Sequence, residues 1–376
     1  MANKTCIVLL ISDQTIPNVM FLKWYFKEPL GRYDVLFLST KAMEDKEKSK
    51  CIADAVDYLK KFISMPHTKI VDENNTLQIR QSLEQFFTKN LYEKIVANIT
   101  GGTKLMSLAL YEYCKSVQTS DVEIFYQPIG KELLMLHPEN KKNSISDLLT
   151  LDEWMRACGV YYKTNKSLQH EDFEFNKKIH REIFEKNKEI IIKMIDLQNT
   201  SYFKNVFKRK PVLDMTQVDE SKFELPDKTV LDKQAVLSLI KDFQFDATQF
   251  TRVQMANITG GWFEEYVYQK LKYEKHIAEE NIALNVEIKK GNDNNELDVV
   301  YVDAQNQLHI VECKTVAKSD LLNDTLYKQQ AIKSKFGLTV KSHLYINDTV
   351  AKDSHLNRAK AFDIEIVDRE KLLEKE

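Results

Sequence analysis

The sequence contains no paired-cysteine motif and no long apolar segment. Its 376 residues include five widely scattered cysteines and no C-x-x-C pair. Zinc and thiol-redox sites commonly use such pairs, so neither kind of site is expected. No apolar run approaches the ~20 residues that span a membrane, and the amino terminus lacks the basic-then-apolar order of a signal peptide. We therefore expect a cytoplasmic protein that makes no membrane contact.

The chain also lacks an excess of charge of either sign. It has 54 lysines and arginines against 56 aspartates and glutamates, a formal net charge of -2. Domains that coat nucleic acid by bulk electrostatics are usually clearly basic, so that class of protein is excluded. An enzyme that acts on nucleic acid remains compatible with this balance if its positive charge is local. The length exceeds what one hydrophobic core usually organises, which predicts two domains and a linking segment.

Residues 1–145 alternate short apolar runs with amphipathic segments. The strand-like runs read CIVLLI, VLFLS, TKIVD, KIVANI and VEIFYQ. Apolar strands without polar alternation, separated by helices, are typical of an α/β domain whose mostly parallel sheet is covered on both faces. In such a domain, ligands bind beyond the carboxyl ends of the strands.

Polar residues gather after four of these predicted strands. Hydroxyls, glycines and lysines at helix N-termini offer a phosphate free N–H groups, a favourable dipole and a cation. In any single loop the same residues can be ordinary helix caps, but several such loops at one edge favour a phosphate-binding rim. The candidate binding residues are Ser12, Gln14, Thr15, Ser39, Thr40, Asn98, Thr100, Gly101, Gly102, Thr103, Lys104, Gln127 and Lys131.

Residues 146–255 are predicted to form a helical connector. Apolar residues at helical spacing indicate one long helix over residues 173–198. The next segment, SYFKNVFKRKP, interleaves lysines and one arginine with aromatic residues. Such a segment can follow a nucleic-acid backbone and stack bases, or it can be the solvated face of a core helix. The sequence leaves both interpretations open.

Residues 256–376 predict a second, mixed α/β domain with an antiparallel hairpin, ELDVVYVDAQNQLHIVECK. Side chains alternate between the faces of a strand, so a turn centred on Gln305 places Asp298 opposite Glu312. A turn of even length would separate them. Two facing carboxylates are unfavourable unless positive charge lies between them, which Lys314 and a hard divalent cation, Mg²⁺ or Mn²⁺, would supply. The lysine could then orient the attacking water or help to deprotonate it.

These residues resemble the motif of the PD-(D/E)XK nuclease superfamily. The resemblance assigns catalysis to Glu264, Asp298, Glu312 and Lys314. It implies a metal held by Asp298, Glu312, the backbone carbonyl of Cys313 and, less firmly, Glu264. A following helix with Gln329 and Gln330 adds to the match. The sequence departs from the PD-(D/E)XK pattern in having Glu296-Leu297 where that pattern has proline. The alternative interpretation of these residues is a surface hairpin with a salt bridge.

The first domain resembles CARF domains, the Rossmann-like sensors of cyclic oligoadenylates, through NITGGTK and SDQTIPN. The whole chain is thus similar to the CARF-nuclease effectors of type III CRISPR systems. That resemblance implies a homodimer that binds cyclic tetra-adenylate and cuts single-stranded DNA or RNA, or nicks duplex DNA, with manganese or magnesium. Two alternatives stay open: a ligand-controlled nucleic-acid-binding protein with an inactive nuclease fold, or a CARF protein that also degrades its cyclic oligoadenylate.

The six letters ANITGG occur twice, at residues 97–102 and 256–261. The predicted elements around the two copies differ in order, which argues against a duplicated domain. We expect both copies to mark the entry into a helix.

Overall fold

Two β-sheets joined by a helical connector organise the chain. The computed structural model describes residues 4–27, 33–64, 66–128, 130–164, 168–290, 293–317, 319–337, 339–350 and 353–374. Over these ranges, every helix is too short or too polar to cross a lipid bilayer.

The first sheet has seven strands in the order β3-β2-β1-β4-β5-β6-β7. They are β1 (Thr5–Leu10), β2 (Tyr33–Ser39), β3 (His67–Ile70), β4 (Lys94–Asn98), β5 (Asp121–Tyr126), β6 (Glu132–His137) and β7 (Lys141–Ser144). Strands β1 to β5 are parallel, as the five apolar runs predicted. The antiparallel strands β6 and β7 were not predicted: β7 is polar and largely exposed, and β6 has one short apolar run at residues 133–136, of which only Leu133 is buried.

Helices cover both faces of this sheet. They are α1 (Ile16–Tyr25), α2 (Lys41–Asp45), α3 (Lys48–Ala55), α4 (Thr76–Lys89), α5 (Lys104–Ser116) and α6 (Leu151–Ala157). Ile7 and Leu9 pack on the side of α1 and α3, whereas Cys6, Val8 and Leu10 pack on the side of α4 and α5. Because successive strand residues are buried on opposite faces, the strands carry no polar alternation.

The connector is mainly helical. Its elements are β8 (Tyr161–Thr164), α7 (Phe173–Lys178), α8 (Phe184–Gln198), α9 (Ser201–Arg209), β9 (Val212–Leu213), α10 (Lys233–Asp242), β10 (Phe250–Thr251) and α11 (Arg252–Ala256). A π-helical turn at residues 179–183 joins α7 to α8, so the predicted long helix over 173–198 is confirmed. Strand β8 departs from the all-helical prediction, because it pairs with a strand of the second sheet.

The second sheet has the order β15-β14-β13-β12-β11-β8. The remaining elements are α12 (Trp262–Glu274), β11 (Ile282–Lys290), β12 (Asp293–Val302), β13 (Leu308–Lys314), α13 (Ser319–Lys333), β14 (Lys341–Ile346), α14 (Asp353–Ala361), β15 (Ile364–Val367) and α15 (Arg369–Glu374). Strands β11 to β13 are antiparallel, and β13 to β15 are parallel. The predicted helix, three strands, helix and strand are all present.

Each face of the second sheet belongs to a different core. Val300, Val302 and Ile310 share a cluster with α1, α3 and α6 of the first domain. Val299, Tyr301 and Val311, on the other face, pack with α8, α10 and α12. The face that carries the even-numbered residues of β12 and β13 is therefore the one turned toward the first domain.

The two ANITGG segments adopt different structures. The first ends β4 and leads into α5, which Thr103 caps by accepting from the Met106 N–H at 3.3 Å. The second ends α11 and forms a π-helical turn over residues 257–261 that joins α11 to α12. The expectation of a helix entry is thus wrong for the second copy, because that helical run begins earlier, at the Thr251–Gln254 capping box.

Candidate functional site

A polar rim lies at the carboxyl end of the first sheet. Strands β2, β1, β4 and β5 are neighbours in the sheet, and all four are parallel. Their carboxyl ends therefore meet at one edge, which brings the loops after Leu10, Ser39, Asn98 and Tyr126 together.

The loop after β4 depends on its two glycines. A Cβ on Gly101 would lie 2.1 Å from the Leu10 carbonyl oxygen, so only glycine allows the loops after β1 and β4 to approach this closely. Gly102 has φ +70°, a left-handed conformation that favours glycine. The glycines thus bring backbone N–H groups to the start of α5.

Buried amides hold the same loop. Asn98 Nδ2 donates to Asn18 Oδ1 at 2.9 Å, and Asn18 Nδ2 donates to the Leu10 carbonyl at 2.8 Å. The Thr100 hydroxyl donates to Asn98 Oδ1 and accepts from the Gln127 N–H at 2.8 Å. The loops after β1, β4 and β5 are therefore tied to one another by side chains.

The predicted rim residues fall into two groups. Buried side chains that bond within the protein are Thr15, Ser39, Thr40 and Asn98, and Gln127 is also buried. Half-buried or exposed residues are Ser12, Gln14, Thr100, Gly102, Thr103, Lys104 and Lys131. The buried group holds the loops through these bonds, as the Thr100 hydroxyl also does, and the other half-buried or exposed residues form the accessible surface of the rim.

Two lysines that the sequence did not single out also reach this rim. Lys46 Nζ lies 3.0 Å from the Asp13 carboxylate, and Lys48 Nζ lies 3.0 Å from the Asp13 carbonyl oxygen. The pKa of Asp13 is lowered, first by its bond to Lys46. Both lysines come from the segment after β2, so only the tertiary structure reveals their position.

The second candidate site lies on the β12–β13 hairpin. Val302 pairs with Leu308 and Val299 with Val311, which confirms the register that the sequence predicted. Continuing this register places Asp298 opposite Glu312. The Cys313 N–H donates to Asp298 Oδ2 at 2.7 Å and fixes the orientation of that carboxylate.

The charges of this hairpin strongly perturb one another. Burial raises the pKa of Asp298 well above its ordinary value, and the charges of Glu312 and Glu264 raise it further. Burial alone would lower the pKa of Lys314, but the Glu312 and Asp298 carboxylates outweigh it and raise that pKa to about 12. Lys314 is therefore placed to donate hydrogen bonds as an ammonium.

Helix α12 brings Glu264 to the same site. Glu264 lies in the first turn of α12, which packs against β11, β12 and β13. Its charge acts on both Asp298 and Cys313. Burial raises the pKa of the Cys313 thiol well above its ordinary value, so this cysteine contributes no thiolate.

Helix α13 supplies a second lysine that the sequence did not reveal. Lys314 Nζ lies 2.8 Å from Glu312 Oε1, and Lys328 Nζ lies 3.5 Å from the same oxygen. Gln329 instead faces the sheet, where its Nε2 donates to the His343 carbonyl at 2.7 Å, and Gln330 is exposed. Lys328, rather than either glutamine, is thus the α13 residue in contact with the acidic centre.

The donor set fits a hard cation. In the ranges described above, no three histidine, cysteine or acidic side chains converge as metal ligands. Half-buried Asp298 and buried Glu312 nevertheless place two carboxylates together, and the raised pKa of Asp298 reflects a repulsion that a cation would relieve. Carboxylate oxygens are the donors that Mg²⁺ and Mn²⁺ prefer.

Three family models match consecutive parts of the chain. Residues 6–154 match the Card1 CARF domain, residues 166–252 the Card1 hinge domain, and residues 251–374 the Card1-like endonuclease domain. The hinge match covers the segment predicted as the helical connector. No curated protein matches the chain significantly.

Solved structures share the fold over the whole length. VC1899 from Vibrio cholerae superposes with a TM-score of 0.72 at 18% identity, covering 98% of this chain and 95% of that one. Can2 from Sulfobacillus thermosulfidooxidans, in complex with cyclic tetra-adenylate, gives 0.71 at 21% identity, covering 99% and 97%. A type III CRISPR defence DNA nuclease activated by cyclic oligoadenylate gives 0.52 at 15% identity, covering 91% of this chain and 45% of that one.

Proposed function

The chain belongs to the Card1 family of CARF-domain endonucleases, and we propose that it is a metal-dependent nuclease of type III CRISPR defence, switched on by cyclic tetra-adenylate. In this proposal it acts in the cytoplasm and cuts single-stranded DNA, single-stranded RNA or both. The observation that carries the proposal is the facing pair Asp298 and Glu312, with two lysines on one Glu312 oxygen, inside the segment that matches the endonuclease domain.

Each residue of the hairpin has a separate role in this proposal. Asp298 and Glu312 would hold Mg²⁺ or Mn²⁺, together with the Cys313 carbonyl and, as a further oxygen donor, Glu264. When bound, the cation would polarise the scissile phosphate and lower the pKa of its bound water. Lys314 would orient the attacking water through its N–H groups and offset the negative charge that develops on the phosphate.

The activator would bind at the rim of the first sheet. Its exposed residues Thr103 and Lys104 sit at the N-terminus of α5, where backbone N–H groups and the helix dipole favour a phosphate. The Can2 structure contains cyclic tetra-adenylate, which makes this ligand the first to test. A two-fold symmetric ring suits a homodimer in which each subunit offers the same rim.

One matrix of reactions tests the proposal. Purified protein is incubated with labelled single-stranded DNA, single-stranded RNA or plasmid, with Mn²⁺, Mg²⁺ or EDTA, and with cyclic oligoadenylates of several ring sizes. We expect cleavage of a single strand only when both a metal and cyclic tetra-adenylate are present. Ligand-dependent binding of the strands without a metal-dependent product would instead identify an inactive nuclease fold.

The same reactions show whether the protein destroys its activator. Cyclic tetra-adenylate is recovered at intervals and resolved from its linear products. Linear products in the EDTA reactions would assign a second, metal-independent activity to the rim. An intact ring throughout would limit the rim to sensing.

A further inference from the structure

Helix α9 is amphipathic and presents a basic face to solvent. Phe203 is fully buried, and Tyr202, Val206 and Phe207 pack against the core of the connector. The opposite face carries basic and polar residues, all of them exposed: Lys204, Asn205, Lys208 and Arg209, with Lys210 at the end of the helix. The aromatic rings of this segment thus pack against the core, and none of them is fully exposed.

The cations of α9 differ from the other lysines of the connector. Lys186, Lys188 and Lys193 each lie within 3.3 Å of a carboxylate. By contrast, no carboxylate among the described residues forms an ion pair with the four cations of α9, which are Lys204, Lys208, Arg209 and Lys210. Residues 199–213 contain no aspartate or glutamate. This face is therefore a concentration of uncompensated positive charge in a chain of net charge -2.

A fifth cation extends the same surface. Lys222 is exposed, and its Nζ lies 5.8 Å from the centre of the Tyr202 ring. Lys204 and Lys208 are one helical turn apart, about 6 Å along the helix axis, so they form a row, whereas Lys222 lies at the edge of the helix that carries Tyr202. We call this surface, formed by Lys204, Lys208, Arg209, Lys210 and Lys222, the α9 basic face.

The end of α8, the helix before α9, is bonded to the nuclease domain. Thr259 donates to Gln198 Oε1 at 3.1 Å, and Gln198 is the last residue of α8. Thr259 belongs to the π-helical turn that leads directly into α12 and Glu264.

We propose that the α9 basic face binds the phosphate backbone of the single-stranded substrate outside the cleavage site. The proposal rests on the proposed function only in taking nucleic acid as the substrate. Because the face offers cations but no exposed ring, it contacts phosphates and reads no sequence. It supplies the local positive charge that the composition of the chain lacks overall.

Binding is measured first, under conditions in which the strand cannot be cut. The full chain carries Glu312→Gln to prevent cutting, and the anisotropy of a labelled single strand is followed as salt is raised. Adding Lys204→Gln, Lys208→Gln and Arg209→Gln should weaken binding about tenfold near 0.1 M salt. It should also flatten the slope of log K against log salt by roughly 0.7 per cation removed. The matched control is Lys186→Gln with Lys193→Gln, which removes two paired lysines of α8 and should change neither quantity by more than about twofold.

Cleavage kinetics then show whether the three substitutions remove a contact with the strand outside the cleavage site or damage the fold. In the otherwise unmodified chain, the three substitutions should raise KM for a long strand and leave kcat unchanged. A strand too short to reach α9 should be cut as before, and thermal unfolding should match that of the starting protein. The proposal would be overturned if the three substitutions slowed cleavage of short and long strands equally. Unchanged affinity and an unchanged salt slope would also overturn it. Failure of the proposed function is distinguishable, because it would abolish cleavage by the unmodified chain and leave the anisotropy result intact.

Discussion

Gln14 of the polar rim at the first sheet lies against Gly337 of the second domain. A Cβ placed on Gly337 would lie 3.0 Å from Gln14 Oε1 and 3.2 Å from Gln14 Nε2. Gly337 follows α13, the helix whose Lys328 contacts Glu312. One contact and one helix thus join the predicted activator site to the acidic centre, which gives ligand binding a physical route to the chemistry.

Filling the space beside Gln14 should uncouple the two sites. Gly337→Ala adds a methyl group at this contact, and we expect cyclic tetra-adenylate to bind within about twofold of normal while activated cleavage falls about tenfold. Gly337 has φ +101°, so the substitution also strains the backbone. Gly130→Ala is the matched control, because Gly130 has φ +113° and its added Cβ meets nothing within 4 Å. Activated cleavage and activator affinity are measured for both variants. Equal activation of the two would show that the contact between Gln14 and Gly337 does not couple the two sites.

Removing Lys328 should slow cleavage without loosening the fold. Lys328 is half exposed and shares the Glu312 oxygen with Lys314, so its ammonium can offset charge at the site. We expect Lys328→Ala to lower kcat by a factor of about 10 to 100 and Lys328→Arg to retain most activity. Lys360→Ala, at an exposed lysine of α14, serves as the control. The measurement is the single-turnover rate of cleavage at saturating activator. A rate for Lys328→Ala equal to that of the unmodified protein would contradict this role.

The metal-free protein should become more stable when its buried carboxylate is neutralised. Asp298 is surrounded by the charges of Glu312 and Glu264, and its pKa is raised first by burial. Asp298→Asn should therefore raise the free energy of unfolding in EDTA by roughly 1 to 2 kcal/mol while abolishing cleavage. Mn²⁺ should stabilise the original chain but not the variant. A lower melting temperature of the variant in EDTA would show that the carboxylate is not under repulsion.

Two buried groups, His170 in the connector and Glu265 in α12, have opposite pH dependence. Burial lowers the pKa of His170 from 6.5 to about 4, so its contribution to stability is lost as pH falls from 6.5 toward 4. Burial raises the pKa of Glu265 from 4.5 to about 7, although the N–H groups of Gln169 and His170 act against it. The native state thus takes up this proton first, and stability increases as pH falls from 7 toward 4.5.

Single variants should reveal the two contributions. On acidification from about pH 7.5 to about pH 5.5, Glu265→Gln should lose stability relative to the original chain, and His170→Phe should gain it, each by roughly 1 kcal/mol. His170 stacks on Phe245 at 5.0 Å, so phenylalanine suits its surroundings. Urea unfolding at each pH measures the difference. If the free energy of unfolding of both variants changed with pH as that of the original chain does, neither group would titrate in this range.

The sequence predicted features that follow from local periodicity. Parallel strands such as β1 and β4 follow buried apolar runs, whereas β3 is exposed along its length, and the hairpin register follows from the odd-length turn between Val302 and Leu308. Strand alternation and that turn were therefore enough to pair Asp298 with Glu312. The shared ANITGG letters led to a wrong prediction of a helix start at residues 256–261, because the helical run there begins before this segment.

Features that depend on distant contacts were missed. Strand β8 is a short, largely exposed segment whose only signal is its pairing with β11. Lys328 is one of the two lysines of α13, and its role depends on how that helix lies over β13. Thr15 and Ser39 looked like ligand-binding hydroxyls, yet Thr15 donates to the Ala157 carbonyl and Ser39 is fully buried. Periodicity cannot distinguish an accessible hydroxyl from one that the fold has already used.

The central claim is that the β12–β13 hairpin cuts nucleic acid when cyclic tetra-adenylate is bound. Its most direct test is the rate of cleavage of labelled single-stranded DNA in Mn²⁺, with and without the activator. The rate is compared for the original chain, Glu312→Ala, Lys314→Ala and the exposed control Glu280→Ala. We predict activator-dependent cleavage by the original chain and the control, and a loss of at least about a hundredfold in the two hairpin variants. Unchanged activator-dependent cleavage by Glu312→Ala or Lys314→Ala would contradict the account.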